Sequence, residues 1–236
     1  MDYTVSPLGD EAVVLEFGVE ISGEKQKQIM AVSAYLDDHP IQGMVEYIPA
    51  YTTITIFYNA LEVIANSTGT NAYEHMLDEI EKMISRLPEN FETESNVVEI
   101  PVCYGGEFGP DLEVVAQENN LTEKEVMDIH ANGEYMVYMI GFAPGFPFIG
   151  GMSERIATPR KDSPRLTIPA GSVGIAGGQT GVYPIETPGG WQLIGRTPLE
   201  LFRPDEEVPI LLQAGDSIRF FPISEEQYSN WGRERS

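Results

Sequence analysis

The chain has 236 residues, enough for one large domain or two small ones, and its composition excludes several classes of protein. Its 37 acidic and 14 basic residues give a net charge of −23, which disfavours nucleic-acid binding because that requires clustered cations. No apolar run approaches the roughly 18 residues of a membrane helix, and the N-terminus lacks the basic and apolar regions of a secretory signal. We therefore expect a cytoplasmic protein. The single cysteine, Cys103, excludes an internal disulfide, and the three scattered histidines predict no metal site.

The first 95 residues alternate between strand-like and helix-like segments. TVSPL and AVVLEFG flank a Gly9-Asp10 turn and predict a hairpin, and a helix is expected from the N-cap Ser22 to about Asp37. Two β-rich segments, GMVEYIP and TTITIFY, precede an amphipathic helix from Tyr73 to Leu87, and NVVEIPVCY returns as a strand. The order β, α, β, β, α, β, with one extra hairpin strand, indicates a ferredoxin-like layer. We place this domain at residues 1–95, with the boundary in the polar stretch PENFETESN.

Residues 96–236 follow a different pattern. Two short helices, near Asp111–Glu118 and Thr122–Ala131, come first, and Thr122 with Glu125 forms a capping box. YMVYMIGF predicts a buried strand, and the residues after it are rich in glycine and proline. Short β segments alternate with turns there: RLTIP, SVGIA, WQLIG, ILLQ and SIRFFPI. Many short strands between such turns predict a barrel or a sandwich. Ser224 and Gln227 then cap a short C-terminal helix.

One segment is locally basic within the acidic chain. Residues 155–203 carry six bases and three acids, giving +3. In TPRKDSPR, Arg160 and Arg165 each follow a proline, which holds them on a stiff, extended loop. Two guanidinium groups placed in this way suit a carboxylate or a phosphate. The alternative, that these arginines pair with acids of the same domain, stays open at this point.

The segment GFAPGFPFIGG has neither the spacing of a phosphate-binding loop nor that of a dinucleotide fingerprint. Its residues Phe142, Pro144, Phe146 and Phe148 form a pocket wall or a partner-binding loop, or they plug one end of a barrel.

The stretch GGQTGVYPIETPGGWQLIGRTP carries neutral hydrogen-bonding groups on Gln179, Thr180 and Tyr183, an aromatic wall in Trp191 and a further cation in Arg196. These residues with Arg160 and Arg165 are the predicted substrate-binding set, suited to a small carboxylated amide. The set has no nucleophile and no nearby histidine, so no catalytic residue is assigned.

Several motifs together resemble one known family. SPLGDEAVVLEFG, IPVCYGGEFGPDLEVVA, GFAPGFPFIGG, the paired TPR and SPR, and IPAGSVGIAGGQTGVYPIETPGGWQLIGRTPL resemble the allophanate hydrolase subunit 1 family, which includes the B subunit of 5-oxoprolinase and the Kip-type inhibitors of sensor histidine kinases. The resemblance implies an α+β protein with a ferredoxin-like N-terminal domain and a cyclophilin-like β-barrel C-terminal domain. It also implies two partners, which are the A subunit of 5-oxoprolinase and its C subunit, the latter similar to allophanate hydrolase subunit 2. With them, the family opens 5-oxoproline to glutamate at the expense of ATP.

Three functions follow from this resemblance. The first is the B subunit of an ATP-dependent 5-oxoprolinase, inactive alone, with the nucleotide site on a partner polypeptide because this chain has no Walker motif. The second is a regulator that binds and inhibits a histidine kinase. The third is an amidohydrolase or carboxyl-transfer module that acts on allophanate or urea-derived carboxylates.

Overall fold

A computed structural model describes residues 2–65, 71–87 and 96–231, and the chain divides in it into two units, Met1–Glu94 and Ser95–Ser236. The expected domain boundary falls almost wholly on residues 88–95, outside the described residues.

The first unit is an antiparallel sheet with helices packed on it. Its strands are β1 (Thr4–Pro7), β2 (Ala12–Glu16), β3 (Met44–Pro49) and β4 (Thr53–Tyr58), in the order β1-β2-β4-β3. Its helices are α1 (Gly23–Asp38), α2 (Ala60–Ala65) and α3 (Ala72–Arg86). In β4 the buried side chains alternate, at Ile54, Ile56 and Tyr58, so one face of the sheet meets the apolar faces of the helices. The side chain of Ser22 caps α1 at the backbone N–H of Lys25, as expected.

One expectation for this unit was wrong, and one helix was missed. The strand expected after the second long helix, Val97–Tyr104, lies in the second unit, and β1 occupies the sheet edge beside β2 instead. A strand joined through the short turn at Gly9 reaches that edge with little loss of chain entropy. Helix α2 was not predicted, because its six residues are too few for a helical period to show.

The second unit is a closed β-barrel. Its elements are β5 (Val97–Tyr104), α4 (Leu112–Glu118), α5 (Glu123–Ala131), β6 (Tyr135–Ile140), β7 (Pro147–Gly150), β8 (Arg165–Ile168), β9 (Ser172–Ala176), β10 (Gln179–Val182), β11 (Thr187–Gly189), β12 (Gln192–Arg196), β13 (Ser217–Pro222) and α6 (Glu225–Asn230). The barrel order is β10-β7-β6-β13-β5-β12-β9, while β8 and β11 form a separate pair. Most neighbours are antiparallel, but β13 runs parallel to β5.

Apolar side chains from all parts of the second unit fill the barrel. Ile100, Val137, Ile175 and Ile218 share one core with Val115 of α4, because α4 and α5 pack on the strands. The capping boxes expected at Thr122 and at Ser224 are both present. The segment ILLQ, expected as a strand, makes only an isolated bridge between Ile210 and Phe202.

These observations confirm the α+β class with a barrel in the C-terminal part. Among the described residues, no helix is long and apolar enough to cross a bilayer.

Candidate ligand-binding site

Asp111 holds residues 158–164, called the basic loop below, to the barrel. This residue precedes α4 and is 3% exposed. Its Oδ1 accepts hydrogen bonds from Arg165 Nη2 at 2.8 Å and Lys161 Nζ at 3.1 Å, and its Oδ2 accepts one from the backbone N–H of Leu193 at 2.7 Å. The carboxylate therefore joins the loop at Lys161 and the start of β8 at Arg165 to strand β12.

The pKa of Asp111 reflects two opposing effects. Burial alone raises it, since a carboxylate is less stable away from water. The hydrogen bonds from Arg165, from the Leu193 backbone and from Lys161 stabilise the charged form and outweigh burial, so the pKa lies below its ordinary value. Asp111 is thus a charged, fully engaged anchor at neutral pH.

Arg160 lies on the same loop but is engaged differently. The backbone N–H of Lys161 donates to Gly190 O at 2.7 Å, and Gln192 Nε2 donates to Pro159 O at 3.0 Å, which fixes the loop on both sides of Arg160. The Arg160 guanidinium lies 6.0 Å from the centre of the Trp191 ring, at cation–π distance. Within the described residues Arg160 makes no ion pair, so its charge remains available to a ligand.

An aromatic cluster forms the wall beside Arg160. Phe146 is 5% exposed and meets the rings of Phe148, Tyr183 and Trp191 edge to face, with centroids 5.4 to 6.0 Å away. Phe142 also contacts Phe146, yet it is 86% exposed and has a φ of 70°, unusual for a residue with a side chain. Phe146 is therefore buried in the cluster while Phe142 projects into solvent, and a pocket, partner-binding or barrel-plugging role of the loop stays a prediction.

Tyr183 is buried at the edge of this cluster. Burial raises the pKa of its hydroxyl, which accepts a hydrogen bond from the backbone N–H of Trp191 and lies near the positive charges of Arg160 and Arg165. The hydroxyl is therefore neutral at physiological pH, and its proton can be donated.

A groove opens next to Arg160, between α4 and the basic loop. Its volume is about 480 Å³, within the range of small-molecule sites. Its walls are formed by two residues of α4, the loop and one residue of β12: Val114, Glu118, Thr158, Pro159, Arg160, Lys161, Asp162, Ser163 and Gln192.

A buried histidine lies behind the site. His130 is 0% exposed; its Nδ1 lies 2.8 Å from Tyr104 Oη and its Nε2 lies 2.8 Å from Thr180 Oγ1. Thr180 Oγ1 itself donates to Gly174 O, so it accepts from Nε2–H, and Nδ1 accepts from the tyrosine. The ring is therefore neutral, and burial lowers the pKa of His130 to about 3.

Comparison with known proteins identifies the family. Residues 3–212 match the family described as carboxyltransferase domain, subdomain C and D. The chain belongs to this carboxyltransferase family. It is 54% identical, over 98% of both chains, to the Bacillus subtilis (strain 168) protein named as the B subunit of 5-oxoprolinase. It is 47% identical to the Escherichia coli O157:H7 protein of the same name, over 92% of this chain and 95% of that one.

A solved structure shows the same fold in a longer chain. The crystal structure of TTHA0988 superposes with a TM-score of 0.77 at 34% identity, covering 90% of this chain and 40% of that one. Our chain, as a member of the carboxyltransferase family, therefore corresponds to about two fifths of the length of TTHA0988. The resemblance to the group that includes the B subunit of 5-oxoprolinase, expected from the motifs, is confirmed.

The structure brings together only part of the predicted site set. Arg160, Tyr183 and Trp191 lie side by side, whereas Arg165 is held by Asp111. Gln179 begins β10 at the end away from Tyr183, about 13 Å along the strand.

The two remaining predicted residues also point elsewhere. Arg196 lies about 16 Å along the chain from Trp191, with its guanidinium 5.7 Å from the Phe108 ring centre. Thr180 is buried against His130, so the expectation of no nearby histidine was wrong.

Sequence reasoning also missed Asp111 and Gln192. Asp111 was recognised only as the start of a helix, and its partners come 50 to 82 residues later. Gln192 stands between Trp191 and an apolar run, and no local pattern marks it.

Proposed function

We propose that this chain is the B subunit of a 5-oxoprolinase that opens 5-oxo-L-proline to L-glutamate at the expense of ATP, together with the A and C subunits. The observation that carries the proposal is the 54% identity, over nearly the full length of both chains, to a protein named as the B subunit of 5-oxoprolinase. An identity this high, over nearly all of both chains, supports the same role for both proteins.

The chemistry explains why several polypeptides are needed. A five-membered lactam resists water, so the reaction transfers the γ-phosphoryl group of ATP to the lactam oxygen and releases ADP. Water then adds to the activated carbon, the C–N bond breaks, the nitrogen takes a proton, and phosphate leaves. With a second water this gives glutamate, ADP and phosphate. The nucleotide site belongs to a partner polypeptide in this proposal, since this chain has no Walker motif.

The part of this chain in that reaction is substrate positioning. Arg160 offers a guanidinium that has no ion pair among the described residues, on a loop fixed at both sides, and Trp191 and Tyr183 form a rigid wall behind it. A substrate carboxylate bound by Arg160 holds the ring in the groove next to it, and such positioning lowers the entropic part of the barrier.

The test is glutamate release from 5-oxoproline and ATP by this chain alone, with the C subunit, and with both the A and C subunits. We expect turnover only in the three-protein mixture. Arg160→Gln lowers its kcat/KM at least tenfold, since a charged hydrogen bond is lost. Arg203→Gln, a change at an arginine paired with Glu206, leaves it within twofold. Absence of turnover with folded, authentic partners would refute the proposal.

The two other functions expected from the resemblance stay predictions. A regulator that docks on a sensor kinase would need an exposed apolar residue, and Phe142 is one. For the third function, no residue of this site favours a urea-derived carboxylate over a lactam as the ligand.

A further inference from the structure

Gln192 is a buried polar residue in the lining of the groove. It pairs with Ile175, a residue of the barrel core, and directly paired residues share a face, so its side chain points towards the barrel end under α4. The residue is only 6% exposed. Its Nε2 donates to Pro159 O at 3.0 Å, which fixes which end of the amide is the oxygen.

The other end of this amide has no donor. Gln192 Oε1 is buried and receives no hydrogen bond from any described residue. Buried polar groups are almost always paired, because an unpaired one forfeits its hydrogen bond to water. An unpaired acceptor beneath an open groove therefore indicates a donor that arrives with a ligand.

The groove above this oxygen fits a small anion. Its lining carries Arg160, which makes no ion pair with a described residue, and Lys161, whose charge is shared with Asp111. The acids of the lining are Glu118 and Asp162. Val114 gives one wall an apolar surface. Pockets at barrel ends with an apolar wall and a few convergent polar groups are the usual small-molecule sites.

We infer that this groove binds a small carboxylate that also carries an amide N–H, with Arg160 binding the carboxylate and Gln192 Oε1 accepting the N–H. The inference rests on the proposed function, because 5-oxoproline has both groups; it adds the residue that recognises the ring nitrogen. Gln192 lines the groove and its Oε1 is buried, so in this inference the ligand reaches the oxygen through a rotation of the terminal torsion of glutamine, which is soft.

This arrangement makes Gln192 a specificity residue. A lactone acid of the same ring size replaces the N–H by an ether oxygen, which faces Oε1 and gives repulsion instead of a hydrogen bond. A site with a buried acceptor rejects an analogue that lacks the donor much more strongly than an apolar pocket rejects a change of size. The competing acceptors in the groove are the carboxylates of Glu118 and Asp162.

The experiment compares two ligands on the full chain by calorimetry: 5-oxo-L-proline and 5-oxotetrahydrofuran-2-carboxylate. We expect the wild type to bind the lactam at least tenfold more tightly than the lactone. Gln192→Met, which keeps the side-chain length, binds both equally. Arg160→Gln weakens both ligands by the same factor, and Glu118→Gln and Asp162→Asn each preserve the discrimination.

Three outcomes overturn the inference: the chain binds neither ligand, Gln192→Met still discriminates, or either Glu118→Gln or Asp162→Asn abolishes discrimination. A second readout does not depend on the folding of a variant: lactam, but not lactone, shifts the side-chain amide resonances of Gln192 in the wild-type NMR spectrum, and an unchanged signal contradicts the inference. Turnover of the three-protein mixture without lactam binding by this chain refutes the inference alone. Discrimination without turnover refutes the proposed function alone.

Discussion

Asp111 shows how a single side chain organises the site from residues far apart in the sequence. It receives three hydrogen bonds from partners 50, 54 and 82 positions later in the chain. Lys161 and Arg165 share this one carboxylate, which neutralises one of their two positive charges. The positive charge left around the loop is therefore that of Arg160 plus one charge shared by Lys161 and Arg165. Of the two alternatives that the sequence left open, pairing with an acid of the same domain holds for Arg165, while ligand binding by Arg160 stays a proposal.

Asp111→Asn should destabilise the protein. The change keeps an acceptor for the Leu193 N–H but leaves two cations without their counter-ion. Breaking a buried pair costs about 3 to 5 kcal/mol, and since these cations are partly exposed we expect about 2 kcal/mol. Urea unfolding at pH 7 measures this. Asp162→Asn, at an exposed loop acid, should change the free energy of unfolding by less than about 0.5 kcal/mol, and equal effects of both changes would refute the anchor role.

The free energy of unfolding should depend on pH through protonation of His130. The folded-state pKa of His130 is about 3 and its unfolded value is near 6.5, so the unfolded chain binds the proton more readily. The stabilisation is fully present above pH 6.5 and declines as the pH falls towards 3, by about 1.4 kcal/mol per pH unit. The lowered pKa of Asp111 adds a further loss only below about pH 4, its ordinary range.

Denaturant unfolding between pH 7 and pH 5 tests this contribution. His130→Gln lowers stability at pH 7, because the hydrogen bonds to Tyr104 and Thr180 change, but it should flatten the pH slope by about 1 kcal/mol per unit. His75→Gln, on α3, keeps the slope since His130 is still present. A slope unchanged in His130→Gln would contradict the assignment.

At the scale of elements, the helices and strands with strong local signals were predictable. The N-caps Ser22, Thr122 and Ser224 were identified from their side chains, and the alternation of β4 was clear. The pairing partners of the strands could not be predicted, because pairing depends on contacts between residues distant in the chain. Val97–Tyr104 has the same composition whether it completes a sheet or enters a barrel, so its place next to β13 was beyond local reasoning.

The candidate site was predictable in its residue types but not in its grouping. Arg160, Tyr183 and Trp191 lie together because loop and strand meet at Gly190, whereas Gln179 lies at the far end of its strand. Glycine explains why the aromatic rings fit: a Cβ on Gly181 would lie 2.9 Å from Trp191 Cζ3. Side-chain direction within a twisted barrel cannot be derived from spacing in a segment of short, bulged strands.

The two phenylalanines of the Gly/Pro loop should differ sharply in their effect on stability. Phe146→Ala removes the central ring of the cluster and should cost about 3 kcal/mol. Phe142→Ala removes a ring that is mostly in water, so we expect a change below about 0.5 kcal/mol. Urea unfolding followed by tryptophan fluorescence suits this comparison, because Trp191 contacts Phe146. Similar losses for both variants would show that Phe142 is buried in solution.

At the scale of the whole molecule, the net charge of −23 is the main electrostatic feature. Residues 1–95 alone contribute −13, while the segment around the basic loop is locally positive. Like charges at this density repel one another more in the folded chain than in the expanded unfolded one. At low ionic strength, this repulsion therefore lowers the stability of the folded state.

Added salt should raise the stability of this protein. The Debye length falls from about 30 Å at 0.01 M to about 10 Å at 0.1 M and 3 Å at 1 M, so most of the long-range repulsion is screened within the first few tenths molar. We expect Tm at pH 7 to rise with NaCl and then to level off, with KCl giving the same curve because screening depends on ionic strength. Sodium sulfate should continue to raise Tm beyond that plateau, since its exclusion from protein surface is a separate effect. A Tm that falls with NaCl would mean that attractive pairs, such as those at Asp111, outweigh the net repulsion, and Asp111→Asn would then lose that salt dependence.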